Sequence, residues 1–177
     1  MSVKIYKSGR WKDTTAAYSI NYWPIFVDRP ISLTRWLINV SQNTSGVNAT
    51  FRAGIYSSNQ QMEPQSLVVE LGAETIVAST VARYVNTISP QVRLEPDVYW
   101  LAWTVSERTN IFYRALLCTT PMLALNKAPN FNFGRFDTAN SSASAGSALP
   151  ASAPAITGIG LDTTNWGPMF ALQWEAV

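Results

Sequence analysis

No stretch of this chain keeps a helical repeat of apolar residues over the roughly ten positions a helix needs, and ten prolines and nine glycines interrupt it throughout. The nearest candidate, residues 116–127, is cut by Thr119-Thr120-Pro121. What remains is short alternation of apolar and polar side chains, the mark of half-buried strands. Tyr18, Ile20 and Tyr22 alternate with Ser19 and Asn21, and Ile31 and Leu33 alternate with Ser32 and Thr34. The apolar parity then flips to Trp36, Ile38 and Val40, which predicts a β-bulge near Arg35. Trp23-Pro24-Ile25-Phe26-Val27 reads as a piece at an edge or a bulge, because proline cannot donate to a ladder.

Further strands are expected over residues 49–56, 67–71, 75–78, 83–88 and 111–115, with turns at 43–48, at Gly72 and at Ser89-Pro90. Residues 98–105 are apolar on both parities, which predicts a central strand covered on both faces. Glu95-Pro96-Asp97 before it is a proline-centred turn. Phe170, Leu172 and Trp174 share one face of a closing strand. Residues 140–154, almost only Ser, Ala, Gly and Pro, have no period and read as a long surface loop, whose small side chains could equally lie flat on a neighbouring subunit. Eight to ten short strands at this spacing predict an all-β fold, a two-sheet antiparallel jelly-roll-like sandwich over residues 18–177. A short N-terminal hairpin arm, residues 1–17, precedes it: Val3 and Ile5 alternate with Lys4 and Tyr6, Ser8-Gly9 turns, and Arg10-Trp11-Lys12 returns.

Composition narrows the chemistry. The chain has no histidine, which removes Ser-His-Asp and Cys-His triads and the common zinc sites. Its one cysteine, Cys118, lies among Leu116, Leu117 and Thr119 and reads as a small core residue. Gly158-Ile159-Gly160 lacks the pattern of a dinucleotide loop, and Asp162-Thr163-Thr164-Asn165 lacks the acid density of a calcium loop. Glu95 and Asp97 are better explained by the turn they flank than as a catalytic pair. We therefore expect no enzyme activity, no catalytic residues, no cofactor and no metal.

Thirteen basic against eleven acidic residues leave a net charge of +2, too weak a field to predict nucleic-acid binding. The longest apolar run, residues 98–103, is far too short to span a bilayer, and Met1-Ser2-Val3-Lys4 carries no apolar signal-peptide core, so synthesis in a cytosol is expected without membrane insertion. Only 14% of residues are charged while 21 are Trp, Tyr or Phe, a surface expected to be buried against other subunits. Val3, Ile5, Tyr6 and Trp11 are the candidate assembly contacts. Trp23 and Trp166 are candidates for stacking on a sugar ring, since a flat amphipathic ring packs on a sugar's CH face.

Three segments, "ATFRAGIY", "VRLEPDVYWLAWTV" and "FYRAL", stand in that order. They contain Arg52-Ala53-Gly54-Ile55-Tyr56, Leu94-Glu95-Pro96-Asp97-Val98-Tyr99-Trp100-Leu101-Ala102 and Arg114-Ala115-Leu116. In these the chain resembles a β-sandwich domain recurrent in bacteriophage virion proteins. Asn21-Tyr22-Trp23-Pro24-Ile25-Phe26-Val27 is similar to that family's first strand, and "VKIYKSGRWKD" is similar to short Gly-x-Trp hairpins of phage tail proteins. Asp97 departs from the pattern, standing where a glycine is usual. The resemblance implies a virion structural protein, foremost a capsid decoration (cement) protein that stabilises the head as a homo-oligomer, with a trimer favoured. Its partners would be the phage major capsid protein or other virion proteins. The alternative it implies is a tail or fibre component whose sandwich binds a host-surface glycan.

Overall fold

The computed structural model describes residues 8–11, 20–107, 110–117, 134–136, 147–153, 159–161, 166–168 and 170–176. Among them the chain is all-β, with strands β1 (Ser8–Trp11), β2 (Ile20–Val27), β3 (Ile31–Asn43), β4 (Ala49–Ser58), β5 (Pro64–Ile76) and β6 (Arg83–Leu94). The second half contributes β7 (Asp97–Val105), β8 (Ile111–Leu117), β9 (Gly134–Phe136), β10 (Ile159–Leu161), β11 (Trp166–Pro168) and β12 (Phe170–Ala176). The first eight strands pair in nested order: β1 with β8, β2 with β7, β3 with β6 and β4 with β5, all antiparallel. Contacts of β3 with β8 and of β4 with β7 join these pairs into two sheets, β1-β8-β3-β6 and β2-β7-β4-β5. This is a chain doubled on itself and then rolled, the double Greek key of a jelly roll. The short strands β9 and β10 extend the second sheet beyond β2, while β11 lies along β8 and β12 along β3.

The nested pairing places Ser8–Trp11, expected inside the arm, as a strand of this chain's own sheet, in register with residues 113–116 of β8. Val3, Ile5 and Tyr6 lie outside the described residues.

Local sequence explains the irregular points. Thr34 has no partner on either side: the β3–β6 register passes from Leu33 to Arg35, and β12 skips it between Gln173 and Trp174. The bulge predicted from the parity flip is therefore centred on Thr34, whose hydroxyl donates to the Gln173 carbonyl at 3.2 Å. Because one residue is extra, Leu33 and Trp36 both point into the core. Pro24 pairs with Trp100 of β7, while β9 reaches β2 only at Ile20 and Asn21, so the proline lies where β2 has β7 alone as a paired strand. The two strands expected around Gly72 are one strand, β5, kinked at Leu71 and Gly72, with Gly72 at φ 94°.

The main core fills the space between the sheets. Leu33, Trp36, Ile38 and Val40 from β3 meet Phe51, Ala53 and Ile55 from β4 and Leu101, Trp103 and Val105 from β7. Trp36 and Tyr113 flank Phe51 with ring centroids 5.7 Å away in each case. The corner before β7 is tied by Tyr99, whose hydroxyl donates to the Glu95 carbonyl four residues upstream at 3.1 Å. A tyrosine reaching back over its own turn is the corner device of Greek-key sandwiches.

Candidate functional site

The second sheet has an outer face that is not left to solvent. β7 is central, as its two-sided apolar pattern predicts: Leu101, Trp103 and Val105 face the main core, while Trp100 and Ala102 face outward. Outward they join Ile20 and Tyr22 of β2 and Tyr56 of β4 in a second apolar cluster, closed by Leu149. Tyr22 and Tyr56 meet edge to face with ring centroids 5.4 Å apart.

Residues 147–153 form a strap over this cluster. The Ala151 carbonyl accepts from the Leu67 amide at 2.8 Å and the Ala153 amide donates to the Gln65 carbonyl at 2.6 Å, with Ser66 and Ser152 as antiparallel partners between them. The strap thus adds a short strand to the outer edge of β5, an edge that would otherwise offer unpaired backbone groups. It then crosses the face. The Tyr56 hydroxyl donates to the Pro150 carbonyl at 2.6 Å, and the Leu149 amide donates to Glu70 Oε1 at 3.2 Å. Glu70 is held in turn by Arg52 at 2.9 Å. Gly54 makes room for the leucine: a Cβ there would stand 2.5 Å from Leu149 Cδ1 and 3.0 Å from the Val69 carbonyl. Burial, foremost, pushes the Tyr22 hydroxyl well above the ordinary tyrosine range, and neighbouring Tyr56 adds to it. Burial does the same for Tyr56. Both phenols stay protonated at neutral pH, and that of Tyr56 is a donor.

At one end of the sandwich the 44–48 and 77–82 loops are stitched together. The Asn43 side chain donates to the Val77 carbonyl at 2.9 Å, the Ala78 amide to Asn48 Oδ1 at 2.9 Å, and the Ser79 amide to the Ser45 carbonyl at 3.1 Å. The Thr44 amide adds a bond to the Asn110 carbonyl at 2.9 Å. This knitted tip holds Val47, Val77 and Val81 outward, exposed by 61%, 48% and 58%, and neither of the first two loops carries a charge.

Three of the described carboxylates make local contacts. Glu95 pairs with Arg93 at 2.7 Å, Asp97 caps the Val98 amide at 2.7 Å, and Glu74 accepts from Asn86 at 3.3 Å. Among the described residues no group of three acid, histidine or cysteine side chains could hold a metal ion, and no helix is long and apolar enough to cross a membrane.

Of the sequence-predicted site residues, Trp23 faces inward and packs against the main core, paired with Leu101. Trp11 and Trp166 stand on β1 and β11, opposite Tyr113 and Leu117 of β8, and their side chains lie outside the described residues. Sequence reasoning missed the strap. The signal for it was Leu149, the one large apolar residue between Phe136 and Ile156 in a run of small and polar ones.

Compared with protein-family profiles and with curated proteins, the chain matches none.

Proposed function

We propose that this chain is a non-enzymatic structural protein of a bacteriophage virion, a capsid decoration protein that stabilises the head through contacts between its own copies, as a trimer, and with the major capsid protein. The observation that carries the reading is the knitted tip. Three valines are held in water on loops whose backbone is already fixed by hydrogen bonds and which carry no charge. Such a surface loses little conformational entropy when it docks and no charge must be desolvated. The resemblance to phage virion sandwiches supplies the setting, and its motif residues have structural duties here. Gly54 seats the strap and Tyr99 ties the corner.

Light scattering on the purified chain tests assembly, with a trimer expected and a monomer at high concentration counting against it. Binding to expanded capsids tests the setting. Val3, Ile5 and Tyr6 are tested by removing residues 1–7, which leaves β1 in place; unchanged capsid affinity would end their part in docking.

A further inference from the structure

We infer that residues 147–153 are an exchangeable strap: in the assembled protein the seat formed by Gly54, Tyr56, Leu67 and Glu70 takes the strap of a second copy. The inference rests on the reading of this chain as an assembling protein and names the segment through which copies join.

The first argument is that the seat cannot stand empty. Without the strap, Ile20, Tyr22, Tyr56, Trp100 and Ala102 would form one open apolar face beside an unpaired stretch of β5. Exposed patches of that kind and free strand edges are both resolved by capturing a segment.

The second is that, among the described residues, the seat is filled by a short, continuous segment, Leu149 to Ala153. The bonds run from the Ala151 carbonyl and Ala153 amide to the edge of β5, from the Leu149 amide to Glu70, and from Tyr56 to the Pro150 carbonyl. One leucine side chain enters one glycine-lined notch. Main-chain bonds to a sheet edge with a single side-chain anchor are the terms of strand-addition recognition. None of them depends on which copy supplies the strap, so exchange keeps each of these contacts, and a second copy is the partner certain to carry the same Leu-Pro segment.

The third is reach. Ten residues separate Phe136 from Ser147 and five separate Ala153 from Ile159. The shorter connection spans at most about 20 Å, so exchange requires the partner's seat to lie within that distance of the donor's β10.

The Ser66–Ser152 pair gives the test. It lies between the two edge bonds, so it is a non-hydrogen-bonded antiparallel pair with Cα atoms about 4.5 Å apart, within disulfide range. Both serines are exposed, so cysteine at either leaves the core untouched. In full-length Cys118→Ser chains, Ser66→Cys is placed on one copy and Ser152→Cys on a size-tagged second copy, and the two are folded together and oxidised. A reducible heterodimer is expected, and it should be lost when the second copy also carries Leu149→Asp. Absence of the heterodimer, with the doubly substituted Ser66→Cys/Ser152→Cys chain closing only within itself, overturns exchange. Light scattering on the same samples reads assembly separately: oligomers held without strap cross-links overturn the exchange and leave the assembly reading standing, whereas monomers overturn both.

Discussion

The indole Nε1 of Trp36 donates to the main-chain carbonyl of Leu71 across 2.8 Å, linking the two sheets through the middle of the core. The β4–β5 register shifts there, pairing Gly72 with Ala53 and Glu70 with Gly54, so Leu71 has no ladder partner. A bulge at a buried residue would strand a carbonyl, and Trp36 satisfies it. Trp36→Phe keeps an aromatic ring against Phe51 but removes the donor and leaves a void. Urea unfolding should show a loss of about 2 to 4 kcal/mol, against a total of about 5 to 15 for a domain. A loss under about 1 kcal/mol would mean that the carbonyl finds another donor.

The Tyr99–Glu95 bond closes the corner between β6 and β7 from a partly exposed position. Tyr99→Phe deletes only the donor, so its expected cost is small, about 0.5 to 1.5 kcal/mol by chemical denaturation. Hydrogen exchange should quicken near residues 95–98 while the central amides of β7 keep their protection. Uniform loss of protection along β7 would show that the corner supports the whole strand.

These two bonds show how much a reader of the sequence could see. Strand periodicity carried the fold class, because alternation is what a half-buried pleat demands. A parity flip near Arg35, one residue from the bulge at Thr34, and an unbroken apolar run over 98–103 were legible for the same reason. Glu95-Pro96-Asp97 was legible as a turn, but not the reach of Tyr99 back over it. Leu71 gave no sign of a bulge, since a register shift is settled by what packs opposite, here Trp36 from the other sheet. The strap was illegible for a third reason: its contacts are main-chain bonds, which any run of small residues can make, and only Leu149 marks where it lands.

Alkali should unfold this protein through its buried tyrosines. Tyr22 and Tyr56 sit far above the ordinary value of 10.0 in the folded chain, chiefly because burial disfavours the phenolate. Unfolding returns them to the ordinary value. Their stabilising contribution is fully present below pH 10 and falls as pH rises from there through the folded values, by up to about 1.4 kcal/mol per pH unit for each proton released. With no histidine in the chain, these phenols should leave stability level through the neutral range. Thermal melts from pH 7 to 11 should show a plateau and then a drop, and Tyr22→Phe should flatten the drop. A steady decline beginning near pH 8 would point to another group.

The valine tip separates folding from docking. Val81 is exposed and borders loops fixed by their own hydrogen bonds, so Val81→Glu should change stability by no more than about 0.5 kcal/mol. It should weaken oligomer formation or capsid binding by at least about tenfold, since a carboxylate would have to be desolvated in the contact. Wild-type affinity and oligomeric state in this variant would remove the tip from the assembly surface.

The notch at Gly54 and the leucine it admits should behave as one unit. Gly54→Ala puts a methyl group 2.5 Å from Leu149 Cδ1, closer than carbon atoms pack, and 3.0 Å from the Val69 carbonyl, which is backbone and yields little. Lifting the strap is the easiest relief, at a cost of about 1 to 3 kcal/mol. Leu149→Ala alone withdraws the anchor and uncovers part of the Tyr22–Tyr56–Trp100 cluster, for about 2 to 4 kcal/mol. Together the two changes should cost less than their sum by at least about 0.5 kcal/mol, because the shortened side chain vacates the space that the new methyl enters. Chemical denaturation of the four chains measures that coupling, and protease cleavage within 147–153 reports the strap directly. Strict additivity would mean that Leu149 and Gly54 do not meet, and with that the seat described for the strap would fail.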